Sequence, residues 1–275
     1  MYLQNAKEYF GDWVNLLSHQ RAAFEIIKEL YTAQEMARDP TLRVVFKWYV
    51  HFDLSAGIVS GHGTFLDIEW YEAAYRMSLQ EVESNPNVLA RKYAERISWC
   101  QLVAAETAIL FAQRSKGVLS DEDFAVRADR VEKMISDWEQ DLNQSGLRDP
   151  NTFITNFTGA PPRDPEDIVD PYDPNFLHGG DLWPTNFAVL DLWSTKLLFL
   201  YQRAIAQRAL PGPEVVDLAY KLCQMFDALQ FFPQGEPGSL FSSNASLGIA
   251  ILFIAKDQAH TMWARRKLAH IESKG

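Results

Sequence analysis

Apolar side chains recur at three- and four-residue steps along almost the whole chain, a pattern that predicts amphipathic helices. The clearest stripes lie in residues 41–60, 88–114 and 120–143. No sustained alternation of apolar and polar residues with a period of two is present, which argues against a β-sheet. The fold is therefore predicted to be all-α. Further helices are expected over the ranges 3–17, 20–37, 67–83, 185–208, 213–230 and 243–272.

Polar caps and glycines mark where several of these helices begin and end. Ser120 stands three residues before an aspartate, close to a capping box, so a helix is predicted to begin there. Gly61 and Gly63 follow the first stripe and supply the positive φ angles that a C-terminal turn needs. Ala56 and Gly57 are small, and we expect them to let a neighbouring helix approach closely.

The segment 146–184 interrupts the helical pattern, because it holds seven of the thirteen prolines and many aspartates. A loop this long in a compact domain tends to be either functional or disordered. Its dispersed aromatic and aliphatic side chains favour a cover draped over the helices, and a mobile linker is the alternative. The whole chain, 1–275, is predicted to be a single large multi-helix domain in which this Pro/Asp-rich segment is an irregular insertion.

Charge and hydropathy exclude two classes of partner. The formal net charge is −10, and nucleic-acid binding depends largely on Lys and Arg that neutralise phosphates. Direct contact with nucleic acid is therefore not expected. The longest apolar run, 247–255, is far shorter than the ~20 residues that span a bilayer, so it is interpreted as a core helix and no membrane partner is expected.

Cysteine usage indicates a reducing, intracellular setting. Cys100 and Cys223 lie in apolar, helix-like surroundings and are too few for a disulfide framework or a zinc cluster. Both are predicted to be buried free thiols. The N-terminus lacks the charged-then-apolar order of a signal peptide, and the chain is expected to begin partway into a larger protein.

Local catalytic motifs are absent or have simpler explanations. Residues 121–123, Asp-Glu-Asp, are the one local candidate for the magnesium site of a terpene cyclase, but acidic residues in the first turn of a helix complement its dipole. Residues 178–180, His-Gly-Gly, resemble a lipase oxyanion loop, yet no Gly-x-Ser-x-Gly accompanies them; a turn before the next helix is expected. Neither Glu-x-x-His nor a nucleotide-binding glycine loop occurs. No catalytic residue is assigned, and the chain is predicted not to be an enzyme.

Metal and nucleic-acid sites have no local signature either. The six histidines form no set with metal-ligand spacing, so no metal or other cofactor is predicted in this chain. The basic cluster 265–267, Arg-Arg-Lys, falls near the end of the last predicted helix. Positive charge is favoured there by the helix dipole, and we interpret the cluster as a solvated helix end.

Two segments carry a family resemblance. Residues 46–61, FKWYVHFDLSAGIVSG, pair aromatic residues with Asp, small residues and a closing Ser-Gly; residues 246–255, SLGIAILFIA, form an apolar helix that is followed by MWARRKL at 262–268. In this order they resemble the fungal-specific transcription factor domain, the helical regulatory region of fungal zinc binuclear cluster factors. His62-Gly63 departs from the family, where Arg and Pro often follow the Ser-Gly.

The resemblance implies an effector-sensing, dimerising or autoinhibitory region that controls transcription in the nucleus, with shuttling from the cytoplasm left open. It implies as partners a small apolar effector, a second copy of the chain, and the transcription machinery or a co-regulator. Zinc is implied only for the DNA-binding cluster, whose six cysteines this chain lacks. The alternatives are a purely structural interaction module, or an all-α enzyme that acts on an isoprenoid-like substrate and binds magnesium at Asp121 and Asp123.

Five residues are candidates for lining an effector pocket. Aromatic side chains near the turn region 231–241 and one polar neighbour fit the mostly apolar character of ligand pockets, and ordinary core packing is the alternative for each. The candidates are His51, Trp99, Phe231, Phe232 and Phe241. His51 and Asp53 are two residues apart and point about 200° away from each other on a helix, so they are not expected to act as a pair.

Overall fold

The computed structural model describes residues 13–232, 240 and 243–272, and within them the chain forms ten α-helices and no strand. The predicted all-α fold is thus confirmed. The helices are α1 (Trp13–Leu30), α2 (Ala33–Arg38), α3 (Pro40–Ser60), α4 (Ile68–Ser84), α5 (Leu89–Ser115), α6 (Asp121–Gln144), α7 (Thr185–Ala206), α8 (Pro213–Phe231), α9 (Asn244–Ile251) and α10 (Gln258–Glu272).

Two compact units divide the chain, Met1–Ser145 and Gly146–Gly275. The first contains α1–α6 and the second contains the Pro/Asp-rich segment and α7–α10. The boundary therefore falls where the irregular segment was predicted to begin. The expectation of a single domain over the whole chain stays a prediction.

The first unit is built around the long helix α5, which packs against α3, α4 and α6. Apolar side chains from these elements are almost fully buried, among them Tyr71, Leu110 and Trp138. The helix starts follow the capping rules. Ser120 accepts a hydrogen bond from the Asp123 amide at 3.0 Å, and Asp39 accepts from the amides of Thr41 and Leu42 ahead of the N-terminal Pro40 of α3.

In the turn after α3 the glycines have the predicted conformation, but Gly57 has a different neighbour from the one predicted. Gly61 and Gly63 have φ angles of +70° and +84°, which confirms the predicted stop signal. A Cβ on Gly57 would lie 2.8 Å from the backbone carbon of Gly63 and 2.9 Å from the amide nitrogen of Thr64. The close neighbour of Gly57 is therefore the returning turn and not a neighbouring helix, so the expectation was wrong for Gly57; for Ala56 it stays a prediction.

The second unit packs α7, α8 and α9 against one another, and α10 against α9. Its interior holds Phe199, Phe226 and Trp263, each at most 1% exposed. The segment 146–184, which we call the cover, contains only two short 3-10 turns, Pro150–Thr152 and Gly180–Leu182. Several of its apolar residues are buried, among them Ile154, Val169, Leu177, Leu182 and Trp183, so the structure favours the packed-cover alternative.

Two predicted helices are interrupted. The 20–37 stripe breaks at Tyr31 because Thr32 and Glu35 form a complete capping box that starts α2. The apolar run 247–255 leaves the α-helix after Ile251, and α10 starts at Gln258, where the carboxylate of Asp257 accepts from the His260 amide at 2.9 Å. The predicted helix over 3–17 lies largely outside the described residues.

Cys100 and Cys223 are both buried and neither takes part in a disulfide, as predicted. Every helix among the described residues is too short or too polar to span a bilayer.

Candidate functional site

A cleft of about 450 Å³ opens in the second unit between the cover and the residue that follows α8. We call it the Trp183 cleft. Its volume falls within the range of about 300–1,000 Å³ that is typical of small-molecule sites. The cleft is lined by Ile154, Thr155, Asn156, Gly179, Gly180, Trp183 and Phe232.

Backbone hydrogen bonds hold the two arms of the cover that form this lining. The Ile154 amide donates to the Leu177 carbonyl at 2.9 Å, and the Gly179 amide donates to the Thr152 carbonyl at 2.8 Å. Phe153 and His178 form an isolated antiparallel bridge between these contacts. Gly179 permits the close approach, because a Cβ there would lie 3.2 Å from the Thr152 oxygen. The cleft wall is thus a fixed piece of backbone.

Asn186, at the start of α7, fixes the position of His178. Its Oδ1 accepts from the His178 amide at 2.9 Å, and its Nδ2 donates to the His178 carbonyl at 2.9 Å. The same Oδ1 lies 3.2 Å from His178 Nδ1, which assigns the ring proton to Nδ1 and leaves Nε2 as an acceptor. Burial lowers the pKa of His178. This shift favours the neutral ring, whose Nε2 is buried without a hydrogen-bond partner among the described residues.

Trp183 supplies the largest wall of the cleft. Its ring stacks on Phe232 with centroids 5.2 Å apart and planes inclined by 30°, and it meets Phe187 edge-on. The side chain is buried, and its indole N–H finds no acceptor within the part of the chain that the structure describes. Leaving such a donor buried and unpaired costs about 1–3 kcal/mol. Because this nitrogen has almost no accessible surface, a group that lies in the cleft does not reach it.

An aromatic chain leads from the cleft into the interior of the second unit. Phe232 meets Phe157 edge-on at 6.2 Å, Phe157 packs on Tyr172 at 5.2 Å, and Tyr172 packs on Phe231 at 6.3 Å. The Lys267 ammonium lies 4.4 Å from the centroid of the Phe231 ring, a cation–π distance. Side chains of the cover and of α8 and α10 are therefore packed in one continuous series.

Lys267 lies in a buried ionic cluster at the end of this series, which we call the Lys267 cluster. Its Nζ is 2.9 Å from Asp227 Oδ1 on α8 and 3.7 Å from Asp167 Oδ1 in the cover. Trp263 Nε1 donates to Asp227 Oδ2 at 3.2 Å. Burial raises the pKa of Asp227 to about 6, although the Lys267 ammonium acts in the opposite direction. The cluster ties three segments of the unit together.

The cluster corrects the interpretation of residues 265–267 as a solvated helix end. Lys267 is only 4% exposed, and Arg266 pairs with Glu166 of the cover. Arg265 alone is exposed. The periodicity of α10 placed Lys267 on the same side as Trp263 and Ala264, but its carboxylate partners are far away in the sequence.

The structure brings together two of the five candidate residues. Phe231 ends α8 and Phe232 follows it; both belong to the aromatic series, and Phe232 lines the Trp183 cleft. Phe241 lies outside the described residues. The role of all five in ligand binding stays a prediction.

His51 and Trp99 lie in the other unit, on α3 and α5. His51 is half-buried, contacts Phe52 edge-on, and has a pKa lowered by burial. Trp99 packs on Tyr75 at 4.8 Å and donates to the Met134 carbonyl at 3.4 Å. Both have the partners of ordinary packing residues.

Trp183 and His178 were missed as site residues. The sequence predicts only a turn at residues 178–180, and the turn is confirmed: Gly180 has a φ of +57° ahead of α7. The sequence does not show that a ring nitrogen will lack a hydrogen-bond partner in the folded chain. The high density of aromatic residues in the cover and at the end of α8 is a weak sequence signal for such a site.

No three His, Cys, Asp or Glu side chains converge as metal ligands within the described ranges. Asp121 pairs with Arg114 at 2.5 Å, and the carboxylate of Asp123 accepts from the Ser120 hydroxyl at 2.6 Å. These contacts account for the acidic turn of α6 without a cation. That the chain has no cofactor and is not an enzyme stays a prediction.

No family model matches the chain, and neither a curated protein nor a solved structure is significantly similar to it.

Proposed function

We propose that the chain is the regulatory part of a nuclear transcription factor and that a small effector binds in the Trp183 cleft. The observation that carries the proposal is the cleft itself, which is lined by the stacked Trp183 and Phe232 rings and by no ionisable side chain. The transcriptional part rests on the resemblance of residues 46–61 and 246–268 to the fungal-specific transcription factor domain. The net charge of −10 agrees with a region that does not contact phosphates.

The mechanism follows from where the lining residues lie. Six of them belong to the cover, and Phe232 follows α8. A ligand held between the two would favour the arrangement in which the cover is seated on α8. An effector shifts a conformational equilibrium only if it binds one state better than the other, and a cleft shared by two segments supplies that difference.

A reporter assay tests this proposal. The full chain is fused to a heterologous DNA-binding domain, and reporter output is compared for the wild type, Trp183→Phe and the matched variant Trp99→Phe. We expect Trp183→Phe to change the output and Trp99→Phe to leave it unchanged, because only Trp183 lines the cleft. Equal output from all three fusions and from the DNA-binding domain alone would contradict a regulatory role.

An exposed apolar stripe on α3 favours a second candidate, a homodimerising interaction module. Val44, Val45 and Trp48 are 59%, 53% and 60% exposed. Face-to-face pairing of two copies would bury the same patch on both, as two-fold dimers do. Light scattering over a concentration series tests it: Trp48→Glu should yield monomer, and the equally exposed control Val118→Glu should not. A wild type that stays monomeric at high concentration contradicts this candidate.

A further inference from the structure

We propose that residues 155–176 of the cover form a lid that opens from α8 and α10 while its two ends stay fixed. We call these ends, residues 152–154 and 177–179, the neck. The lid supplies the movement that the proposed function requires of the cover, and its coupling to the Trp183 cleft rests on that proposed function. The opening itself is a property of the free chain.

The neck is held by hydrogen bonds between its two arms and by α7. The Ile154 amide donates to the Leu177 carbonyl at 2.9 Å. Asn186 on α7 hydrogen-bonds to both the amide and the carbonyl of His178, each at 2.9 Å. Leu177 is fully buried. The two ends of the lid are therefore anchored next to each other.

The lid makes its backbone–backbone hydrogen bonds within itself or to the neck. Among the described residues these bonds run from the amides of Ala160, Asp167 and Asn175 to the carbonyls of Phe157, Asp164 and Ile154. The Tyr172 hydroxyl adds an internal bond to the Pro161 carbonyl at 2.5 Å. In the part of the chain that the structure describes, no backbone–backbone hydrogen bond joins the lid to α8 or α10. The lid can therefore leave the helices without losing its own hydrogen bonds.

Polar side chains of α8 and α10 hold the tip of the lid. Gln224 on α8 donates to the Asp170 carbonyl at 2.9 Å. Arg266 on α10 pairs with the Glu166 carboxylate and donates to the Glu166 carbonyl at 3.3 Å. The Glu166 side chain is 74% exposed, so water and salt weaken its attraction to Arg266.

The buried acidic contact of the lid, Asp167, is poorly compensated. Its side chain is 3% exposed, and its Oδ2 has no hydrogen-bond partner among the described residues. The Lys267 ammonium is 3.7 Å from Asp167 Oδ1 but lies closer to Asp227, at 2.9 Å. Two buried carboxylates thus share one buried ammonium. Since burying an incompletely paired carboxylate is unfavourable, we infer that the tip of the lid is held less firmly than the neck.

Aromatic contacts favour the closed lid. Phe157 of the lid meets Phe232 with ring centroids 6.2 Å apart, and Tyr172 meets Phe231 at 6.3 Å. Opening the lid separates these rings and exposes apolar surface to water, which is unfavourable. The closed lid is therefore the main state of a two-state equilibrium, and the open lid is the minor state.

The Trp183 cleft lies at the base of the lid. Thr155 and Asn156 are the first two lid residues, and they line the cleft together with Phe232, which follows α8. A molecule in the cleft touches the lid and Phe232 at the same time only while the lid is closed. Occupation of the cleft should therefore shift the equilibrium toward the closed lid.

Thiol labelling of the full chain measures the opening. Val169 lies in the lid and is 8% exposed, so Val169→Cys places a thiol where it reacts when the lid opens. Cys223 on α8 is fully buried and reports unfolding of the unit in the same molecule. Leu177→Cys is the matched variant in the neck. Each variant is incubated with iodoacetamide, and the label at each site is followed by mass spectrometry.

We expect the thiol at position 169 to react about tenfold faster than Cys223 or more, because local opening costs less free energy than unfolding of the whole unit. The thiol at position 177 should react about as slowly as Cys223. Arg266→Met should speed the reaction at position 169 about three- to tenfold, the value of one net hydrogen bond. Arg265→Met, on the exposed side of α10, should leave that rate unchanged.

Two results would overturn the lid. Equal rates at position 169 and at Cys223 would show that this segment opens only when the unit unfolds. Equal rates at positions 169 and 177 would show that the neck opens as well. Because each rate is compared with that of Cys223 in the same chain, a variant that weakens folding does not imitate lid opening.

Quinoline tests the coupling of the lid to the cleft. It is a neutral aromatic probe and suits a lining that contains aromatic rings and no ionisable side chain. Quinoline should slow the labelling at position 169 as its concentration rises. If it does not, while the thiol at position 169 still reacts faster than Cys223, the lid stands and its coupling to the cleft is wrong. If the lid itself fails, the reporter assay with Trp183→Phe still decides the proposed function.

Discussion

Each of the two compact units buries an aspartate, and the two carboxylates are satisfied in different ways. Asp53 in the first unit accepts hydrogen bonds from the amides of Phe65 and Leu66 at 2.8 and 3.1 Å and from the Tyr71 hydroxyl at 2.8 Å. Asp227 in the second unit is paired with the Lys267 ammonium and accepts from the Trp263 indole.

The two aspartates differ in the segments of the chain that they hold together. The donors of Asp53 come from the turn that follows its own helix and from the start of α4, so the carboxylate fixes a local turn. The partners of Asp227 come from α10, and Lys267 continues to Asp167 in the cover. The aspartate of the first unit therefore holds a local turn, whereas that of the second joins distant segments, at the far end of the aromatic series that begins at the Trp183 cleft.

The largest effect is expected from breaking the ion pair. Lys267→Met leaves the carboxylate of Asp227 buried without its cation, which typically costs about 3–5 kcal/mol of unfolding free energy. Urea unfolding measures the loss. The double variant Lys267→Met/Asp227→Asn should recover most of it, and Arg265→Met, on the exposed side of α10, should change little. A loss no larger than that of Arg265→Met would show that the pair does not hold the unit together.

The pH dependence of stability should distinguish Asp227 from its neutral replacement. Burial raises the pKa of Asp227 in the folded chain from the ordinary 3.8 to about 6. Between these values the folded state binds the extra proton, so the contribution of Asp227 to unfolding free energy falls as pH rises, by up to about 3 kcal/mol. Asp227→Asn cannot titrate and should lack this fall.

The measured quantity is the difference in unfolding free energy between wild type and Asp227→Asn, from urea unfolding at several pH values. The difference cancels the opposite contribution of His51 and His178, whose pKa values are lowered by burial. A difference that does not change between pH 3.8 and about 6 would mean that Asp227 titrates normally in the folded chain.

A smaller loss is expected at the other aspartate. Asp53→Asn keeps one oxygen acceptor but turns an amide NH₂ toward a donor, and we expect a loss of about 2 kcal/mol. Tyr71→Phe removes one of the donors. Because the two side chains share a hydrogen bond, the double variant should lose about 1 kcal/mol less than the sum of the singles. Strictly additive losses would contradict the assigned network.

The smallest effect tests the turn that Asp53 holds. Gly57→Ala should stabilise α3 by about 1 kcal/mol if helix propensity alone decides. Since the new Cβ would lie 2.8 Å from the Gly63 backbone, we expect instead a net loss of about 1 kcal/mol. Thermal unfolding gives the sign, and a gain in stability would show that the turn can move away.

Much of the fold could be predicted because it is encoded locally. Periodicity located most helices, Ser120 marked the start of α6, and Gly61 and Gly63 marked the end of α3. The density of prolines located the cover. The break before α2 could have been found too, because Thr32 and Glu35 have the spacing of a capping box.

The candidate site could not be predicted in the same way, because its properties depend on residues far apart in sequence. Lys267 meets carboxylates 40 and 100 positions earlier, and Trp183 stacks on a ring 49 positions later. The helical pattern shows which side of α10 is buried, but it does not show that this side packs against the carboxylates that pair with Lys267. An unpaired indole N–H is a property of the folded surroundings alone.

The most direct test of the central claim is a crystal structure of the full chain soaked with quinoline. We predict that quinoline lies in the Trp183 cleft, in contact with the side chains of Trp183 and Phe232. Quinoline bound beside Trp99 and Tyr75 in the first unit, with the Trp183 cleft empty, would contradict the account.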